Sequence, residues 1–223
     1  MLRKWLISLT NAENDSSLSA KLRTKRFNLF KSLFNQSSAP LKILDVGGRE
    51  TIWVREGFCD PNTSDRIQIT ILNVKKEPTT APNVISVVGD ARNMSQFADD
   101  EFDIVFSNSV IEHVGDYADQ TLMAREVRRV GKKYFVQTPN LYFPIEPHFM
   151  YPCFQFLPLQ LKVWILLNIG RRHRKVETRE KALRIANEIK LLSKRDFGGL
   201  FPQATIFEEK IWGLTKSFIA YEN

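Results

Sequence analysis

The chain has 223 residues and a net charge of +7, with 43% apolar and 26% charged residues. That length suits one α/β domain with an elaboration, and the composition excludes a mostly disordered chain, a collagen-like repeat and a coiled coil. Two cysteines, Cys59 and Cys153, are too few for a disulfide scaffold or a multi-cysteine zinc site.

Positive charge is concentrated in two segments. Residues 1–40 carry seven Lys or Arg and two acidic residues, and residues 162–195 carry eleven and three. Such segments suit a nucleic acid, an anionic membrane or a phosphate-bearing substrate, although solvated helix faces explain them equally well. The apolar run at 5–9 is too short for a secretory signal, and the run at 149–170 is interrupted by Pro, Gln and Lys. We therefore expect a cytoplasmic protein, with peripheral contact to an anionic membrane as an open option.

An amphipathic basic helix is predicted in the N-terminal segment. After the capping-type residues 14–17, Leu and Phe recur at helical spacing as far as Phe34, with Lys and Arg between them. The pattern ends before Pro40. We predict a basic amphipathic helical extension at 1–39 and a main domain at 40–223.

The middle of the chain alternates short apolar runs with helical patterns. Five runs predict strands, at 41–46, 67–74, 84–88, 102–106 and 134–138. Helical patterns separate several of them, most clearly at 119–130, which predicts a parallel α/β sheet covered by helices on both faces. Two later runs, 204–211 and 217–221, are joined by a short link and predict an antiparallel pair at the sheet edge.

Glycine and polar residues follow the predicted strands. They are Asp45 with Gly47 and Gly48, Asn73, Asp90 with Ala91, Ser107 with Asn108, and Pro139 with Asn140. In open parallel sheets, ligands bind at the carboxyl ends of the strands, so these residues are the candidates for binding. Glycine allows the backbone to approach a ligand closely, and the Asp90 carboxylate can accept a hydrogen bond from an amine.

These motifs resemble the class I S-adenosylmethionine-dependent methyltransferases over residues 41–223. Residues 43–48 look like the family's first motif, and residues 88–91 look like the segment whose acid contacts the adenine amine. Residues 102–108 look like the fourth strand, and residues 111–114 look like the turn that often follows it. The resemblance implies a Rossmann-like, seven-stranded, mostly parallel sheet with an antiparallel C-terminal hairpin, and S-adenosylmethionine as the cofactor.

The resemblance also implies which residues contact the cofactor. They are Asp45, Gly47, Gly48, Asn73, Asp90, Ala91, Ser107 and Asn108. Two places depart from the family pattern. Arg49 and Thr51 stand where the loop usually has glycine, and Asn73 replaces the acid that usually holds the ribose hydroxyls. Asparagine can still bond two hydroxyls without a charge. A nicotinamide dehydrogenase is the neighbouring interpretation, but its Gly-x-Gly-x-x-Gly loop and its acid after the second strand are both missing.

The segment after the fifth predicted strand predicts the acceptor site. Glu146 and His148 flank Pro147 in a proline-rich loop, and a spacing of two in an extended segment places both side chains on one side. An imidazole beside a carboxylate can position an acceptor hydroxyl and take its proton. We predict His148 and Glu146 as the catalytic residues, with a purely structural histidine as the alternative.

Two further expectations concern a lid and a metal. The segment between the fifth strand and the final hairpin is longer than one crossover needs, which predicts a helical lid insertion at about 140–192. No metal ligands are predicted, because Ser109 stands where the resemblance would require a third ligand beside the pair Glu112 and His113.

The sequence therefore predicts an S-adenosylmethionine-dependent methyltransferase. We expect O-methylation of a small acceptor or of one linked to a carrier or lipid, such as a saccharide or a phenol. Nucleic acid is not the expected acceptor, because residues 107–110 lack the prolines and the aromatic residue typical of nucleic-acid amine methyltransferases. The alternative is a non-catalytic cofactor-binding scaffold or partner subunit, which the altered glycine loop favours.

Overall fold

The computed structural model describes residues 18–33, 40–146, 148–169 and 176–222, and these residues contain nine strands. In chain order the strands are β1 Leu41–Val46, β2 Ile67–Asn73, β3 Val84–Val88, β4 Ile104–Asn108, β5 Tyr134–Pro139, β6 Ile145–Glu146, β7 Tyr151–Pro152, β8 Thr205–Ile211 and β9 Leu214–Tyr221. Seven form one sheet in the order β3-β2-β1-β4-β5-β9-β8, and β6 pairs with β7 separately. Strands β1 to β5 run parallel, and β9 is antiparallel to β5 and β8. The predicted sheet and its antiparallel C-terminal hairpin are confirmed.

Helices cover both faces of this sheet. They are α1 Leu18–Ser32, α2 Glu50–Arg55, α3 Pro61–Ser64, α4 Tyr117–Val130, α5 Leu159–Asn168, α6 Arg179–Glu188 and α7 Lys194–Leu200, with short 3-10 turns at Ile111–His113 and Phe154–Phe156. Within the described ranges, no helix is long and apolar enough to cross a membrane. The residues of the predicted N-terminal extension before Leu18 lie outside the described part of the chain.

The two faces of the sheet carry different cores. On one face, aromatic side chains from α1, α2 and β4 pack together, with the Phe30 ring 5.0 Å from Phe106 and 5.9 Å from Trp53. On the other face, aliphatic residues of β4 and α4 pack against Phe197 of α7. Adjacent residues of one strand, Val105 and Phe106, point into opposite cores, which explains why the central strands are apolar throughout.

The strand order reverses between β1 and β4. Strands β2 and β3 lie on one side of β1, and β4 and β5 lie on the other. Such a reversal opens a crevice at the carboxyl ends of the strands. Strand β4 was predicted at 102–106, but it continues through Ser107 and Asn108, because both residues pair with β5. Of these two residues, Ser107 is fully buried and the Asn108 side chain accepts a hydrogen bond from Arg26.

The segment of the chain between β5 and the C-terminal hairpin forms a third, small core of its own. Helices α5 and α6 pack together and bury Phe149, Phe154 and Leu166. The β6–β7 hairpin precedes them and carries Glu146 at its start, fully buried. This insert therefore brings residues from the loop after β5 back over the carboxyl end of the sheet.

Candidate active site

A cavity of about 360 Å³ lies beyond the carboxyl ends of β1, β2 and β3. Its lining residues are Val46, Gly47, Leu72, Asn73, Val74, Gly89, Asp90, Ala91, Arg92, Ser109, Val110, His113 and Val114. Gly47 has a φ of 76°, and a Cβ atom there would collide with the Val110 side chain. Glycine is therefore required where the backbone of β1 turns along the cavity.

Asp45 lies beneath this turn rather than in the cavity wall. The Trp53 indole donates a hydrogen bond to Asp45 Oδ2 over 2.7 Å, and Oδ1 has no hydrogen-bond partner among the described residues. Burial raises the pKa of Asp45 to about 7, against the opposing effect of the Trp53 bond. A Cβ atom on Gly48 would overlap the Asp45 carboxylate, so the second glycine makes room for this buried acid.

Asn73 and Asp90 line the cavity but are also bonded within the protein. Asn73 Nδ2 donates to the Gly48 carbonyl over 2.8 Å, which ties the end of β2 to the glycine turn. Arg92 donates to both oxygens of Asp90 and also reaches Asp119 at 2.9 Å. The hydrogen bonds from Arg92 lower the pKa of Asp90 and keep its carboxylate charged.

Ser107 and Asn108, also predicted as cofactor ligands, are not among the residues that line this cavity. Ser107 is fully buried. Asn108 accepts a hydrogen bond from Arg26 of α1, and the same guanidinium forms a two-pronged ion pair with Glu209 of β8. The N-terminal helix thus reaches the carboxyl end of β4, a contact across 82 residues of sequence that the pattern of α1 gave no sign of.

Four side chains meet at the edge of the cavity, and we call them the acceptor cluster: Glu112, His113, Glu146 and His148. His148 Nδ1 lies 2.7 Å from Glu146 Oε1, and His148 Nε2 lies 3.2 Å from His113 Nε2. His113 also lines the cavity. The predicted pair is therefore brought together, and the turn after β4 links it to the predicted cofactor site.

The acids of the acceptor cluster are both buried. Glu112 Oε2 accepts a hydrogen bond from Thr138 Oγ1 over 3.1 Å, and Glu112 Oε1 lies 3.8 Å from His148 Nε2. Burial raises the pKa of Glu112 to about 7. Glu146 accepts the Phe149 amide over 2.7 Å with its second oxygen, so its carboxylate is fixed on both sides.

Sequence reasoning missed two parts of this site. Arg92 follows Asp90 by two residues, a spacing that allows a local ion pair but does not require one. The contact of His113 with His148 joins residues 35 apart. Its one signal in the sequence was the pair Glu112 and His113 in the turn that the family resemblance places after the fourth strand.

Comparisons with known proteins point to one class. A family model described as a methyltransferase domain matches residues 58–134. An S-adenosylmethionine-dependent methyltransferase from Methanosarcina mazei aligns over 86% of this chain and 95% of its own, with 15% identity and a TM-score of 0.52. One from Aquifex aeolicus aligns over 98% and 96%, with 11% identity and a TM-score of 0.50. The CurJ carbon methyltransferase aligns over 99% of this chain and 57% of its own, with 10% identity and a TM-score of 0.57. No curated protein matches.

The chain has the fold of the class I S-adenosylmethionine-dependent methyltransferases, and the resemblance stated from its motifs is confirmed. S-adenosylmethionine is the cofactor of that class. The crevice fits such a group, because its wall includes Gly47 and Gly89, where the backbone carries no side chain, and the carboxylate of Asp90. Beneath the glycine turn, Asp45 Oδ1 is buried and has no hydrogen-bond partner among the described residues.

Proposed function

We propose that this protein transfers a methyl group from S-adenosylmethionine to a hydroxyl oxygen of a small, carrier-linked or lipid-linked acceptor. The observation that carries the proposal is the contact between His148 and His113 at 3.2 Å, since His113 also lines the cofactor cavity. Proton-handling groups thereby stand beside the cavity, where an acceptor hydroxyl would need them.

The residues of the chain divide the work. The cofactor supplies an electrophilic methyl group on a sulfonium, so the protein mainly has to orient the acceptor and promote loss of its proton. Gly47, Asn73 and Asp90 would hold the cofactor. Glu146 fixes the His148 ring through Nδ1, which directs Nε2 toward the other members of the acceptor cluster.

Burial supports a role for Glu146 beyond a surface contact. Its side chain is 2% exposed and that of His148 is 15% exposed, so the pair is shielded from water. A histidine held by a buried carboxylate is the usual arrangement for a group that promotes proton transfer. These features favour an oxygen acceptor, whose proton must be lost, over a thioether or tertiary amine that has none.

The proposal is tested by methyl transfer from labelled S-adenosylmethionine to a panel of saccharide, phenol and lipid-linked hydroxyl acceptors. We expect His148→Ala to lower turnover by roughly 10²–10⁴-fold, the usual share of proton-transfer catalysis. Glu146→Gln should also lower turnover, since the His148 ring loses its charged partner. Cofactor affinity should stay within about twofold in both variants.

Two results would overturn the proposal. Turnover of His148→Ala close to that of the wild type, at unchanged melting temperature, would remove the acceptor cluster from the reaction. Absence of cofactor binding would overturn the methyl transfer itself, whereas cofactor binding without turnover on any acceptor would favour the alternative of a non-catalytic cofactor-binding scaffold or partner subunit.

A further inference from the structure

The acceptor cluster assembles from two elements that are far apart in sequence. Glu112 and His113 come from the 3-10 turn after β4, and Glu146 and His148 come from β6 and the residues that follow it. One ligand-type atom from each of Glu112, His113 and His148 lies within 4.8 Å of the others. Two imidazole nitrogens and a carboxylate oxygen at this separation are close enough to bind one metal ion.

The distance between the two imidazoles fits ligands of one ion. A transition-metal ion binds imidazole nitrogen at about 2.0–2.1 Å, which puts two such nitrogens ~3.0 Å apart at a right angle and ~3.4 Å apart at the tetrahedral angle. The observed separation of His113 Nε2 and His148 Nε2 is 3.2 Å, between these two values.

The orientation of His148 is also that of a metal ligand. Its Nδ1 faces Glu146 Oε1 at 2.7 Å, so the ring can donate its N–H there and present the Nε2 lone pair to the cluster. Metal-bound histidines almost always have such a carboxylate, carbonyl or water on the other nitrogen. Glu146 is itself fixed by the Phe149 amide, so it can serve this purpose without being a ligand.

Glu112 points to a cation independently of the two imidazoles. Its side chain is fully buried, and Oε1 has no hydrogen-bond partner among the described residues. A buried carboxylate oxygen left in that state is costly, because it has lost water and gained nothing in exchange. Oε1 lies 3.8 Å from His148 Nε2, on the side where the two imidazole nitrogens converge. A cation at that point would complete its bonding.

We propose that Glu112, His113 and His148 bind one divalent transition-metal ion, and that Glu146 positions His148 for it. Two imidazoles and one carboxylate suit zinc or iron rather than magnesium or calcium, which prefer oxygen ligands only. Three protein ligands leave coordination positions open for an oxygen of the acceptor. This inference rests on the proposed function, because it names how the acceptor cluster acts on the acceptor hydroxyl.

Methyl transfer at this site needs only the acceptor hydroxyl, S-adenosylmethionine and solvent water. The ion makes the acceptor hydroxyl more acidic, so its O–H bond breaks and the proton passes to solvent water. The oxygen electron pair then forms the bond to the methyl carbon, the carbon–sulfur bond breaks, and its electron pair returns to the sulfonium sulfur. His148 thus acts as a ligand on the path of the reaction.

The test uses the full, tag-free chain, stripped of metal with a chelator and titrated with Co²⁺, whose visible absorption reports ligand number and geometry. We expect one Co²⁺ per chain, with bands typical of four or five ligands. His113→Ala and His148→Ala should each remove these bands, and Glu146→Gln should weaken Co²⁺ binding by about 10–100-fold. His173→Ala, the third histidine, is the matched control and should bind as the wild type does. His113 is exposed, so its substitution should leave the fold intact.

Calorimetry with S-adenosylhomocysteine and turnover of the stripped protein separate the possible failures. Co²⁺ binding that is absent, or equal in His113→Ala and wild type, overturns the metal site. Full turnover of the stripped protein also overturns it, but leaves the proposed methyl transfer intact with His148 as a direct proton acceptor. Specific Co²⁺ binding by a chain that takes up no S-adenosylhomocysteine would support the metal site and contradict the proposed function.

Discussion

At the scale of single residues, Asp45 is a buried acid beneath the glycine turn of the candidate cofactor cavity. It is 1% exposed, it accepts one bond from Trp53, and its pKa is raised to about 7 by burial. An aspartate in the unfolded chain titrates near 3.8. Folding therefore favours the protonated form, and this contribution to stability is complete below pH 3.8 and is lost as the pH rises toward 7.

A first prediction follows for the free protein. Between pH 5 and pH 7, the free energy of unfolding of the wild type should fall by about 2 kcal/mol relative to that of Asp45→Asn, at about 1.4 kcal/mol for each pH unit. Urea unfolding of both proteins at the two pH values measures the difference. Parallel pH profiles for the two proteins would show that Asp45 is ionised throughout.

Single residues also show how far sequence reasoning reached. The strand-end motifs correctly indicated Gly47, Asn73, Asp90 and Ala91 as residues of one crevice, because a parallel sheet brings its carboxyl ends to one edge. Side-chain pairing was beyond that reasoning. Whether the Asp90 carboxylate faces a ligand or Arg92 depends on a rotamer, and motif spacing does not determine rotamers.

At the scale of secondary-structure elements, helix α1 is held against the rest of the domain by aromatic packing and by an ion pair. Phe27 and Phe30 are buried among the aromatic residues of one core, and Lys133 donates to the Leu33 carbonyl near the start of β5. Arg26 pairs with Glu209, with 11% and 2% of their side chains exposed. The helix is therefore anchored at the carboxyl end of β4, beside the candidate active site.

A second prediction concerns this ion pair. Arg26→Met should lower the free energy of unfolding by about 3–5 kcal/mol, because it leaves the buried Glu209 carboxylate without its guanidinium partner. The double variant Arg26→Met with Glu209→Gln should recover a large part of that loss, since the buried carboxylate charge is removed with its partner. Urea unfolding followed by circular dichroism measures both.

The exposed Arg195 provides the control, because Arg195→Met should change the unfolding free energy by no more than about 0.5 kcal/mol. A double variant no more stable than Arg26→Met alone would mean that packing of α1, rather than the charge pair, carries the loss.

Elements were predictable where their pattern was local. The five parallel strands and the hairpin follow from apolar runs, and no predicted strand end differs from the structure by more than three residues. The anchoring of α1 was not predictable, since the amphipathic pattern shows which face is buried but not which strand it meets. The β6–β7 hairpin is also too short, at two residues for each strand, to leave a pattern in the sequence.

At the scale of the whole molecule, the two halves of the candidate site come from different parts of the chain. The cofactor cavity is built at the ends of β1 to β3, with side chains from the turns that follow. The acceptor cluster needs the insert after β5, and His113 is the residue shared by both. A substitution in one half should therefore leave the function of the other half intact.

The most direct measurement of that claim is calorimetric titration of S-adenosylhomocysteine into the wild type, Asp90→Ala and His148→Ala. We predict one site per chain in the wild type, and a loss of about 1–3 kcal/mol in Asp90→Ala, because an amine of the ligand is left without its acceptor. His148→Ala should bind within about twofold of the wild type. Equal affinity of Asp90→Ala and wild type, or loss of binding in His148→Ala at an unchanged melting temperature, would contradict the division of the site that we describe.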